Sequence, residues 1–498
     1  MKNKAKAVDQ PERRHVLKTV STVALGTLAS SFASHVQTGQ STVTRQAVTQ
    51  HVRRLSAAQP IKLKMLIPVG SGANIAPLVQ AFEADTGVSV AIEETSIDGV
   101  SNRLALDAMS GYGDTDLALP ATFSLPDLVS SGAIAPLNRY AARYETDRAR
   151  SGVLYDIGDS YDGKIYGFQT DGDTYLMFYH REMQEGADER TRYHDRFGKP
   201  LSVPRTWADL DQQIDFFHRP DAGQYGGLLF RTQGYLAWEW WVRFHSKGVW
   251  PFSDTLVPQI ASDEGVQALE EMIRVSQYLA PEADRLGLFE NWTRFAKGDV
   301  YCNIGWGGSQ KFLNGPESAM RGKLSFGSTP GGWVDGQLVT TPYFNWGWNY
   351  VVATSSRYPE IAYLFALYAS TSEMSTLAVR QREGFFDPFR AEHYFDPDIR
   401  EIYSPEFLEV HRQSMSASIP DLYLAGQGEY FHTLNVWLHK ALTKQVKPAY
   451  ALTRAALQWD LISKQSGFEK QLERWRQLRK KYPVSVRERL RDLPVQTL

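Results

Sequence analysis

Residues 61–92 switch between two hydrophobic periods, and this switching restricts the chain to few architectures. Leu63, Met65 and Ile67 alternate with Lys62, Lys64 and Leu66, the period of a half-buried strand. A Gly70-Ser71-Gly72 turn follows. Ile75, Leu78, Val79 and Phe82 then fall at i, i+3, i+4 and i+7, one face of a helix. Gly87 stands where a helix turns left-handed to end, and Val88, Val90 and Ile92 resume the alternation. Such a β-α-β unit lays a helix over a parallel sheet. Similar patterns predict a helix near 100–109, strands at 116–119 and 350–353, and a helical face on Ile361, Leu364, Phe365 and Tyr368. The last hundred residues read as mainly helical, ending in a charged helix over 468–482. At 498 residues the chain is too long for one ordinary core, so two or more α/β lobes are expected.

The formal net charge is −2 with no long single-sign run, which argues against nucleic acid as a partner. A single cysteine, Cys302, rules out an internal disulfide framework and any Cys-rich zinc or iron–sulfur site. No cofactor or metal is expected. Most of the 13 Trp, 24 Tyr and 24 Phe are expected to build cores and lobe interfaces, and the remainder could line a ligand cleft.

Residues 1–33 read as an address. Lys2, Lys4 and Lys6 precede Arg13-Arg14, a mildly apolar stretch from Val20 to Phe32, and a Ser31-Phe32-Ala33 cleavage site. The apolar run is short of the roughly 20 residues that span a bilayer. Paired arginines before such a run resemble a twin-arginine export signal, the alternative being a basic tail. Cleavage would move the formal charge to −6, since six Lys/Arg and two Asp/Glu would be lost. With no cysteine nearby for a lipid anchor, a soluble product in the periplasm is expected. Residues 34–60, rich in Ser, Thr, Gln and Arg, read as a linker with little fixed structure.

Three stretches carry a family resemblance. The first runs from Tyr161-Asp162-Gly163-Lys164-Ile165-Tyr166-Gly167-Phe168 through Asp171-Gly172-Asp173 to Tyr179-His180-Arg181-Glu182-Met183. The second is Val203-Pro204-Arg205-Thr206-Trp207-Ala208-Asp209-Leu210. The third runs from Gly298-Asp299-Val300 to Ile304-Gly305-Trp306-Gly307-Gly308. In order and spacing these resemble the extracellular solute-binding proteins of ABC importers, similar to the maltose- and sugar-binding proteins, over roughly residues 61–482. Two positions depart from the family pattern. The loop Gly70-Ser71-Gly72-Ala73-Asn74 lacks the aromatic residue many sugar binders carry there, and Gln169 replaces a common proline.

The resemblance implies a two-lobed periplasmic-binding-protein fold of type II, with a hinge and an interlobe cleft. Lobe one would comprise 61–170 plus 331–375, lobe two 171–330 plus 376–482, and 483–498 would form a C-terminal tail. It also implies a carbohydrate-like ligand, an inner-membrane ABC permease and the twin-arginine machinery as partners, and a monomer that performs no covalent chemistry.

A carbohydrate offers hydroxyls that donate and accept and C–H faces that are apolar, so its site needs carboxylates and amides beside flat aromatic walls. Asp171 and Asp173 follow the expected hinge crossing, although Asp-Gly-Asp is also an ordinary turn. Trp238 and Trp241 share a helical face and serve either a core or a cleft wall. Trp306 lies where the family often sets an aromatic residue against sugar, with Gly308 allowing close backbone approach. Asn345, Trp346 and Trp348 suit a cleft edge or a tight turn packed by two indoles. Arg382 could fork onto vicinal hydroxyls or an acidic sugar, or pair with a surface carboxylate. Thr122 ends a lobe-one strand, at the sheet edge where ligands bind. The main competitor is an exported carbohydrate-active lyase or hydrolase, but no HExxH, G-x-S-x-G or metal-ligand cluster supports it. A ferric-ion binder would need clustered tyrosines, and no adjacent Tyr-Tyr pair occurs.

Overall fold

The computed structural model describes residues 43–146 and 149–494; the expected export signal at 1–33 lies outside them. Five strands form the first sheet, in the order Ser89–Thr95, Lys62–Pro68, Leu117–Ala118, Asn349–Val352, Gly167–Gln169. Its first three strands pair in parallel, as the β-α-β reading requires, and the other two join antiparallel. The helix between the first two strands spans Gly72–Thr86. It ends at Gly87, whose φ of 78° lets its N–H reach the Glu83 carbonyl.

The second sheet runs Ile419–Pro420, Tyr343–Phe344, Thr174–His180, Val300–Gly305, Tyr225–Leu228, with Leu324–Ser328 also paired to Thr174–His180. Every residue of Thr174–His180 is buried, which explains its unbroken apolar run in place of alternation. Helices Trp207–Phe217, Leu236–His245 and Pro405–Ala417 pack on or near this sheet. Thr206 caps the first of them, its hydroxyl accepting the Asp209 N–H.

Three sequence expectations need correction. The chain returns to the first sheet at 345–348, not at 331, because Tyr343–Phe344 still pairs with Thr174 and Tyr175 in the second. Before that return comes a hairpin, Gly332–Val334 with Gln337–Val339, turned at Asp335-Gly336 where both φ angles are positive. Such a turn looks, in sequence, like a crossing between lobes. The linker expectation also fails from residue 45 onward: Arg45–Leu55 is a helix capped by Thr44. Its two valines four apart, Val48 and Val52, bury against the first lobe, while Arg45 pairs with Asp85 and Glu373. Its polar composition masks that narrow stripe. The C-terminal segment is likewise docked rather than a tail. Val486 and Leu490 are buried, Arg491 donates its N–H to the Gly248 carbonyl, and its guanidinium pairs with Glu264. No described helix is long and apolar enough to cross a membrane.

The N-terminal helix therefore belongs to the folded core. Val52→Ala is expected to lower the unfolding free energy by about 2 kcal/mol in denaturant titration, while Gln50→Ala on its exposed face leaves it unchanged. Equal behaviour of the two variants would restore the linker reading.

Candidate functional site

Three segments cross between the sheets, and hydrogen bonds hold them to one another. In the first crossing, residues 170–173, the Thr170 N–H and hydroxyl both donate to the Trp348 carbonyl, at 2.9 and 3.0 Å. Asp173 accepts the N–H of Gly347 at 3.2 Å, fastening the first crossing to the second, residues 345–348. Gly347 has φ 68°, and a Cβ there would lie 2.5 Å from the Phe344 ring, so only glycine fits. The third crossing runs through 380–390. There Asp171 Oδ1 accepts the N–H of Asp387 at 2.6 Å as well as that of Gly172.

Asp171, Asp173 and Asp387 converge. All three are buried, and one carboxylate oxygen from each lies within 4.8 Å of the others. Tyr403 donates to Asp387 Oδ1 at 2.7 Å. Gly307 makes room for the carboxylate, since a Cβ would meet it at 2.4 Å. The nearby cation is Lys311, on helix Gly307–Leu313. Its ammonium donates to the carbonyls of Val379, Gln381, Gly384 and Phe386 at 2.9–3.2 Å, clamping the third crossing. Burial, and then mutual repulsion, push the carboxyls of Asp171 and Asp173 well above the usual range. Burial raises Asp387 to about 6, with Lys311 and Tyr403 acting in opposition. Burial likewise lowers Lys311 to about 8, against the pull of Asp387 and Asp171.

Asp173 opens onto a cavity between the lobes. Ile97 enters it from the first lobe, Leu288, Phe289, Trp292, Trp306 and Gly308 from the second, and Trp346, Trp348 and Phe385 from the crossings. Trp306 is set by the end of strand Val300–Gly305, where its backbone N–H donates to Ser309 Oγ, and its indole N–H donates to Asn345 Oδ1 at 2.7 Å. The Trp306 and Trp346 rings meet edge to face at 5.6 Å, and Trp238 buttresses both. The indole N–H groups of Trp292, Trp346 and Trp348 are buried without a protein partner.

Of the residues singled out from sequence, Asp173, Trp306, Gly308, Trp346 and Trp348 line the cavity, and Asp171, Asn345 and Trp238 support that lining from behind. Three others lie elsewhere. Trp241 faces the other way, donating to the Pro420 carbonyl and packing on His245 and Phe431. Arg382 is exposed and pairs with Glu401 at 2.6 Å, the surface-carboxylate alternative. Thr122 is fully buried, its hydroxyl donating to Asn349 Oδ1 at 2.7 Å. Sequence reasoning missed Ile97, Leu288, Phe289, Trp292, Phe385, Lys311 and Asp387. The last of these sits within the Arg382–Arg390 stretch, where the aspartate beside a proline was a signal that the nearby arginine overshadowed.

Two α/β lobes joined by three crossings around one buried cavity define the two-lobed solute-binding architecture. The chain belongs to the family of bacterial extracellular solute-binding proteins, whose pattern it matches over residues 77–399. Among solved structures it resembles an ABC transporter solute-binding protein from Agrobacterium radiobacter K84 in complex with ribitol. The TM-score is 0.68 at 18% identity, covering 81% of this chain and 100% of that one. The maltose-bound MalE3 of T. maritima gives 0.68 at 17% identity, covering 81% and 100%. A solute-binding protein from Agrobacterium vitis S4 with bound D-mannitol gives 0.66 at 18%, covering 82% and 99%. No curated protein sequence matches the chain.

The carboxyl trio has a pH signature. A carboxyl raised on folding binds its extra proton in the folded chain, so its contribution to stability is full below the ordinary value of 3.8. That contribution is lost as pH rises through about 6 and beyond. Asp173→Asn mimics the protonated carboxyl. The variant is expected to gain stability over the parent progressively as pH rises from 4 to 8. A stability difference that stays flat across this range in parallel urea titrations would show that the trio carries no extra proton.

Proposed function

We propose that this protein is the ligand-capturing component of an ABC importer, taking up a carbohydrate-like solute in the periplasm after export through the twin-arginine pathway. The observation that carries this reading is the cavity itself: indole walls and one carboxylate, closed between two lobes at their crossings. Flat aromatic surfaces match the C–H faces of a sugar or polyol, while the carboxylate and the free indole N–H groups match its hydroxyls. The sugar and polyol ligands of structurally similar proteins support the same class.

The mechanism is hinge closure. An open form receives the solute on one lobe, and contacts from the second lobe favour the closed form by the difference in affinity between the two states. An inner-membrane permease then recognises the closed shape of the monomer. No step makes or breaks a covalent bond, so the protein works as a carrier.

A thermal-shift screen over sugars and polyols identifies the ligand, since specific binding stabilises the fold by about 2.7 kcal/mol at a hundredfold excess over Kd. With that ligand, Trp306→Ala is expected to weaken binding about a hundredfold in isothermal titration, while Arg382→Ala leaves Kd unchanged. Retained affinity in Trp306→Ala, or conversion of ligand to product, would refute the carrier reading.

A further inference from the structure

The charge balance at the base of the cavity narrows the ligand further, on the reading that this cavity is the binding site. Asp173 is the sole ionisable side chain in the cavity wall, and no Lys or Arg lines it. Behind it stand Asp171 and Asp387, each with one buried carboxylate oxygen that has no hydrogen-bond partner. Lys311 is the cation whose charge acts on all three, but its ammonium is committed to four backbone carbonyls of the third crossing. Among the described residues, no Lys or Arg forms an ion pair with any of the three. Three carboxyls thus share Lys311 as their cation, with protons held on the buried carboxyls making up the balance, and the end of the cavity is rich in acceptors and short of fixed positive charge.

A phosphate or carboxylate on the ligand would be repelled there. A plain hydroxyl would leave the imbalance as it stands. A protonated amine would correct it, and its surroundings suit a cation: Trp306, Trp346, Trp348 and Phe385 border the same space, and aromatic faces attract cations through the negative charge over their rings. The unpartnered indole N–H groups of Trp292, Trp346 and Trp348 are donors, which calls for acceptor oxygens on the rest of the molecule. We propose that the natural ligand is an aminated sugar or polyol, its protonated amino group seated against Asp173 inside the indole box and its hydroxyls directed to the free indole donors.

Matched pairs test this by isothermal titration in neutral buffer: D-glucose against D-glucosamine and N-acetyl-D-glucosamine, and D-sorbitol against 1-amino-1-deoxy-D-sorbitol. The amine of at least one pair is expected to bind about thirtyfold more tightly than its hydroxyl counterpart, and N-acetylation should abolish the gain. In Asp173→Asn the ratio of amine affinity to that of its neutral partner should fall to about one, whatever the absolute affinities become. Neutral members that bind as tightly as the amines, or more tightly, would overturn the inference and leave the carrier reading standing. Absence of binding by every neutral and aminated member would count against the cavity as a carbohydrate site, and the inference would fall with it.

Discussion

Asp171 ties the first and third crossings together through the Asp387 N–H, and Asp173 ties the first to the second through Gly347. These bonds sit where the two sheets meet, so they set how one lobe stands relative to the other. They also place the carboxylate that faces the cavity. One short Asp-Gly-Asp run thus joins hinge geometry to site chemistry, and a shift of the lobes must move the ligand-facing carboxyl with it. Glycine 172 between the two aspartates has no room for a side chain, since a Cβ would lie 2.1 Å from the Pro388 carbonyl.

Burying three carboxyls at one point costs stability, and the structure offsets the cost with local donors. Backbone N–H groups and the Tyr403 hydroxyl satisfy part of the trio, and Lys311 supplies charge while clamping the third crossing. The remaining bare oxygens mark a place where folding has been compromised, as binding sites often are. The aromatic residues around the cavity share this character: Trp292, Trp346 and Trp348 bury indole N–H groups that the protein itself leaves without acceptors.

Local periodicity made the fold legible where sheets are regular. The strand, helix and strand at Lys62–Thr95 announced themselves by period and by Gly87, as did helix Pro359–Ala369 by its apolar face. Short or polar elements were harder to read. The helix Arg45–Leu55 shows only a two-valine stripe, and the Asp335-Gly336 hairpin mimics a lobe boundary. At the site, residues at the crossings were legible because the motifs that bracket them are ordered along the chain. Phe289 and Trp292 were not, because nothing in an amphipathic helix says that its aromatic face looks into a cleft rather than a core. Arg382 illustrates the converse: a guanidinium attracts a functional reading, yet Glu401 holds it at the surface.

The central claim is that the lobes shut around a solute, and the distance across the cleft mouth tests it most directly. Asp98 on helix Ile97–Ser110 and Glu290 on helix Leu288–Phe295 are exposed on opposite lobes, and both carboxylates act on Tyr235. Cys302 is buried, so spin labels introduced by Asp98→Cys and Glu290→Cys can be read without interference. Electron–electron dipolar spectroscopy is expected to show a broad, longer separation without ligand that collapses to one short distance when ligand saturates the protein. A separation unchanged by saturating ligand would contradict the account.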